Sequence, residues 1–183
     1  MPKKIFIAII FFVAQFNFCS AQMPESEMSL GGLTFGSSFD YMEKIYGEPN
    51  YFYTGGVKKS GAFLYGDSII LHYNAELDRI ETIMIDSNNG WKTPAGLSVG
   101  MNILDAENFY GKPDYMTVGK NNSAYCYFHT NKNNVHDFGF IILFSNYDGK
   151  ISELNIRGDT SDRTFEDYYK PHMDEIIIDK GEF

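Results

Sequence analysis

Four histidines and two cysteines are the side chains best suited to metal or nucleophilic chemistry. Cys126, His129 and His136 lie close enough along the chain to suggest a metal site. On a strand, however, residues three apart point to opposite faces, so Cys126 and His129 diverge. Zinc wants three or four convergent ligands, and neither CxxC nor HExxH occurs. His72 and His172 have no partner at ligand spacing. The expectation is a protein with no metal and no cofactor, its His129 and His136 in an exposed hairpin loop. Covalent catalysis finds no better footing: there is no G-x-S-x-G elbow, and Ser37 and Ser38 stand where helix caps are wanted. Gly31-Gly32 and Gly36 precede a helical stretch without the lysine of a phosphate loop. Asp86-Ser87-Asn88-Asn89-Gly90 resembles half a calcium loop without the glutamate at position twelve. These residues point away from an enzyme.

Aromatic side chains are the more distinctive feature, at 16% of the chain. Runs such as Tyr51-Phe52-Tyr53 and Tyr125-Cys126-Tyr127-Phe128 alternate sides on a strand. Some rings must therefore fill a core while others can face outward. Tyrosine is enriched at interaction hot spots, so Tyr51, Tyr53, Tyr115, Tyr125 and Tyr127 are the candidate contacts of a protein-binding sheet. Glycan binding is the alternative, since rings also stack on sugars; a single tryptophan, Trp91, counts against it. A hydrolase with a dispersed site is the third reading.

The elements that must carry these rings are written twice. Gly32–Tyr51 and Gly96–Tyr115 align at a constant offset, sharing Gly32/Gly96, Leu33/Leu97, Gly36/Gly100, Glu43/Glu107, Tyr46/Tyr110, Gly47/Gly111, Pro49/Pro113 and Tyr51/Tyr115. Self-similarity of this kind marks a duplicated unit. Each unit opens with a helix of about ten residues, too short to stand without tertiary packing. The first is capped by Ser37 with Asp40 three residues on, turns Phe39, Met42, Ile45 and Tyr46 inward, and stops at Gly47 and Pro49. The second is capped by Asn102, turns Ile103, Ala106, Phe109 and Tyr110 inward, and stops at Gly111 and Pro113. Strands follow at Tyr51–Thr54, Ala62–Tyr65, Ser68–Tyr73 and Ile80–Asp86, then at Tyr115–Val118, Ala124–His129, Phe138–Ser145 and Ile151–Ile156. Asp148-Gly149 is a hairpin turn, and the extra residues His129–Gly139 of the second unit read as a loop insertion.

The expected fold is therefore α+β, two tandem repeats of a short N-terminal helix followed by an antiparallel sheet. Residues 22–30 lead in, 31–86 form the first repeat, 87–94 a linker, 95–158 the second repeat, and 159–183 an acidic extension. Residues 1–21 read as a signal peptide: Lys3 and Lys4, an apolar run Ile5–Ala14, and small residues at Cys19 and Ala21. Cys19 lacks the flanking residues of a lipid-attachment site, with Phe18 and Phe16 around it. Cleavage leaves no stable membrane span and leaves Cys126 as the one thiol, without a disulfide partner. The formal net charge of −9 argues against nucleic acid as a partner. The expected destination is periplasmic or extracellular, in a bacterial envelope, with a protein as partner.

The segments G-L-T-F-G to Y-G-E-P (Gly32–Pro49) and G-L-S-V-G to Y-G-K-P (Gly96–Pro113) resemble the module of BamE/SmpA-type envelope lipoproteins. Their tandem arrangement is similar to the β-lactamase inhibitory proteins. The resemblance implies a secreted, noncatalytic scaffold presenting a sheet to a partner. It lacks the lipid-bearing cysteine of the one and the disulfides of the other.

Overall fold

The computed structural model describes residues 23–53, 60–118, 122–131 and 134–159. The leader and residues 160–183 of the acidic extension lie outside the described residues. The described chain opens with a 3-10 turn, Glu25–Glu27, and a small hairpin of β1 (Ser29–Leu30) and β2 (Leu33–Thr34). Helix α1 (Phe39–Tyr46) is followed by β3 (Tyr51–Tyr53), β4 (Ser60–Tyr65), β5 (Ile69–Asn74) and β6 (Arg79–Ile85). Helix α2 (Asp105–Tyr110) is followed by β7 (Tyr115–Val118), β8 (Asn122–Asn131), β9 (Asn134–Asn146) and β10 (Ile151–Asp159).

The expected fold class is corrected here. The described residues are mostly β, with helices of only eight and six residues. They do not make two helix-plus-sheet repeats side by side: β3 to β10 form a single eight-stranded sheet in the order β3-β4-β5-β6-β10-β9-β8-β7. The reason lies at the centre. Strands β6 and β10 would each be the open edge of a separate sheet, with a row of unpaired backbone groups. They pair antiparallel instead, from Leu154 opposite Ile85 to Arg157 opposite Thr82.

Local chemistry explains the helix ends. Ser38, one residue later than expected, caps α1 by accepting from the Tyr41 N–H. Ser37 is buried and bonds Thr34 instead. Gly47 stops the helix with φ of 76°, a region that favours glycine, and its N–H reaches the Glu43 carbonyl at 2.7 Å. Asn102 does not cap α2 directly; its side chain accepts from Leu104 N–H just before the helix begins. Both helices are shorter than their apolar spacing suggested, and Ile45 and Phe109 lie at the exposed side rather than inward.

One side of the sheet carries the main core. A row of residues in register crosses it: Phe63, Leu71, Ile83, Ile156, Ile141 and Tyr127. Met42, Ala106 and Tyr110 of the helices pack on this side, with the lead-in residues Met23, Met28 and Leu30. Trp91, from the connecting loop, lies against Tyr46 with ring centroids 4.9 Å apart. A Cβ at Gly31 would collide with its indole, so glycine there makes room for the ring. The expected loop 129–139 is also corrected. Strands β8 and β9 run on as one long hairpin, paired from Asn122 opposite Asn146 to Asn131 opposite Asn134. Alternating pairs along a two-stranded arm satisfy the backbone that a loop would leave open.

Candidate binding face

The residues next to each core residue on its strand point to the other side of the sheet. There the pairing aligns Tyr51, Leu64, Ile70, Met84, Asn155, Ile142, Cys126 and Tyr115, one residue from each of the eight strands. This second row is apolar at most positions. Over β7 to β9 it is closed: Ala124, Cys126, Phe140 and Ile142 form a buried cluster flanked by Tyr115, Phe128 and Phe144. Asn155 is fully buried beside it and donates to Glu153. Over β4 to β6 the row remains half-buried at Leu64, Ile70 and Met84, with exposed His72 and buried Thr82 in the next row.

The helices and the β1–β2 hairpin belong to the main core, on the opposite side. Leu64, Ile70 and Met84 are thus neighbouring apolar side chains on three adjacent strands. Continuous apolar surface of that kind, when partly open, characterises contact sites.

The five tyrosines expected at the surface do not stay together. Tyr125 and Tyr127 belong to the main core, at 8% and 1% exposure, and as surface contacts they are corrected. Parity sets this: Tyr127 stands in register with Ile141 and Ile156 of the main-core row, so 125 and 127 face the helices. Tyr115 is half-buried on the second side, in the aromatic rim of the Cys126 cluster. Tyr51 stands in register with Leu64 and Tyr53 with Ala62, both on edge strand β3.

The missed residues are Leu64, Ile70 and Met84. A signal was present in the sequence: Phe63-Leu64-Tyr65, Ile69-Ile70-Leu71 and Ile83-Met84-Ile85 do not alternate. Strands with unbroken apolar runs are apolar on both faces.

Electrostatics reinforce the division of the two sides. Burial pushes the Cys126 thiol well above its ordinary range, with the nearby Asp114 charge adding to the effect. It is a packed hydrophobe, since the thiolate is the reactive form. Burial likewise raises the Tyr127 and Tyr110 phenols. The Tyr110 hydroxyl is 2.7 Å from Glu27 Oε2, to which it donates, and 2.8 Å from Thr93 Oγ1. Glu27 also accepts from Ala95 N–H, so a carboxylate at 7% exposure ties the lead-in to the start of the second half. His129 is a half-buried residue of β8, not a loop residue, and lies on the side of the sheet opposite Cys126. Among the described residues no three His, Cys, Asp or Glu side chains converge on a metal position. None of the described helices is long and apolar enough to cross a membrane.

No protein-family model and no curated protein sequence matches this chain. Its fold is similar to a solved extracellular protein containing an SCP domain from Bacillus anthracis, at 12% identity and a TM-score of 0.45. That match covers 67% of this chain and 43% of the other. A cysteine-rich secretory protein from Staphylococcus aureus is similar at 10% identity and a TM-score of 0.49, covering 75% of this chain and 49% of the other. The chain spans less than half the length of these two structures. Neither is a BamE/SmpA-type lipoprotein or a β-lactamase inhibitory protein, and the resemblance drawn from the Gly-to-Pro segments is corrected accordingly. Those segments encode a turn, a short helix and its stop, a local device open to unrelated folds.

Proposed function

We propose that this chain is an exported, noncatalytic protein-binding module whose partner docks on the half-buried sheet patch at Leu64, Ile70 and Met84. One observation carries the reading: the second row runs from β4 to β7, apolar but for Asn155, yet remains partly open over β4, β5 and β6. Export is read from the lysine-led apolar leader at residues 1–21. A formal net charge of −9 over the chain favours neutral or basic partners and speeds their encounter.

The test compares the full chain with Ile70→Lys and Met84→Lys as bait in the secreted fraction. A lysine on a half-buried strand position keeps its stem against the sheet and sends its charge outward, so the fold tolerates it. The proposal expects one protein recovered in stoichiometric amount by the unmodified chain and lost with either variant at unchanged melting temperature. Equal recovery with the variants places the partner elsewhere, and a clean bait removes the stable-partner reading.

A further inference from the structure

A separate cleft lies on the helix side of the sheet, at the ends of β8 and β9. It measures about 370 Å³, within the range of small-ligand pockets, and is half-open to solvent. Glu25, Ser26, Thr34 and His129 supply its polar wall, Met28 and Phe35 its apolar one, and Gly139 its floor. The floor is low because the sheet lacks side chains there: His129 stands opposite Gly139, which stands opposite Gly158. A Cβ at Gly139 would collide with the end of Met28, and one at Gly158 with the ring of Phe35.

The polar wall has one chemical sense. His129 Nδ1 lies 2.9 Å from the Met23 carbonyl. A carbonyl oxygen only accepts, so Nδ1 carries the proton, and Nε2 is the acceptor of the corresponding neutral tautomer. Glu25 is exposed and adds a carboxylate, and the Ser26 and Thr34 hydroxyls can accept as well. Thr34 Oγ1 also shares a hydrogen bond with Ser37. The Arg79 guanidinium is held over the Phe35 ring at 5.7 Å and bonded to Glu81 at 3.2 Å. Among the described residues, then, the cleft wall offers acceptors and negative charge beside a short apolar surface.

We propose that this cleft binds a primary alkylammonium group, its charge on Glu25 and His129 Nε2 and its stem against Met28 and Phe35. The ligand follows from complementarity. An ammonium brings three donors and no acceptor, and carboxylate contact makes its hydrogen bonds charge-assisted. An anion would meet the Glu25 charge, and a neutral alcohol brings one donor in place of three and no charge to pair with the carboxylate. The group can belong to a free amine or to a lysine side chain. This inference is independent of the sheet patch, which lies on the other side.

The experiment labels methionine methyl groups with carbon-13 in the full chain and follows the Met28 resonance during titration. The probes are n-butylammonium chloride, sodium butyrate, and a lysine blocked at both backbone ends. A saturable Met28 shift with n-butylammonium and none with butyrate is expected. Glu25→Gln, at an exposed position, should weaken binding by about tenfold or more at unchanged melting temperature, as loss of one charge-assisted bond requires. His129→Phe should weaken binding likewise, with a modest loss of stability from the broken bond to the Met23 carbonyl. Tighter binding of the blocked lysine than of the free amine would assign the site to a protein side chain; the reverse would assign it to a small amine. No saturable shift, an equal response to butyrate, or full affinity in Glu25→Gln would overturn the proposal.

Discussion

Two tyrosines in matching places of the two halves differ in one bond, and that difference sets opposite expectations for the same mutation. Tyr65 and Tyr127 each lie beside the tyrosine that ends the preceding helix, with centroids 5.9 Å from Tyr46 and 5.2 Å from Tyr110. The Tyr65 hydroxyl donates to the Gly47 carbonyl at 2.9 Å. The Tyr127 hydroxyl is buried and has no hydrogen-bond partner among the described residues. A buried hydroxyl without a partner costs about 1–3 kcal/mol of desolvation, whereas a made bond contributes about 1 kcal/mol net. Tyr127→Phe removes the penalty and leaves the ring in place, against a small packing loss from the missing oxygen. It should stabilise by about 1 kcal/mol, and Tyr65→Phe should destabilise by a similar amount. For a domain of this size, 1 kcal/mol moves Tm by about 2–4 °C. Urea and thermal unfolding of the two variants, followed by circular dichroism, should therefore shift in opposite directions. If Tyr127→Phe loses as much as Tyr65→Phe, the hydroxyl is paired and the argument from its burial is wrong.

Other consequences follow from packing and charge. Glu27→Ala strips the Tyr110 hydroxyl and the Ala95 N–H of a shared acceptor and should cost about 2–4 kcal/mol in urea unfolding; Glu27→Gln, which keeps one acceptor oxygen, should cost less. Gly158→Ala drives a methyl into the rigid Phe35 ring and should destabilise by about 1–3 kcal/mol, more than Gly139→Ala, whose severe clash is with the flexible end of Met28 and whose contact with the Arg157 carbonyl, at 3.1 Å, is milder. Burial raises the Cys126 pKa in the fold, so the folded state holds its proton longer than the unfolded chain does. That contribution is complete below about pH 8.5, the ordinary cysteine value, and is lost as pH rises beyond it. Cys126→Ala should flatten the alkaline decline in unfolding free energy; an unchanged slope would exclude Cys126 as its cause.

Much of the path was legible because it is written in local chemistry. Tyr46-Gly47-Glu48-Pro49 and Tyr110-Gly111-Lys112-Pro113 stop a helix wherever they occur, and Asp148-Gly149 turns a hairpin between β9 and β10. What escaped depends on long-range pairing. Whether β6 meets β10, fusing two sheets into one, is decided by the absence of any other partner for two apolar edges. Sequence parity separated Tyr125 and Tyr127 from Cys126, but only the main-core row shows which of the two sides faces the helices. The His129 cleft was illegible for a related reason. It forms where Met23, far away in the chain, lays its carbonyl beside the ring, and where two glycines on paired strands coincide.

The central claim is that the sheet patch over β4 to β6 meets a protein. It is tested most directly by placing a photo-crosslinking phenylalanine analogue at Met84, with the same analogue at exposed Tyr41 on α1 as control. Irradiation in the secreted fraction should trap one discrete adduct from position 84 and none from position 41. An adduct from position 41 alone would move the interface to the helix side and contradict the account.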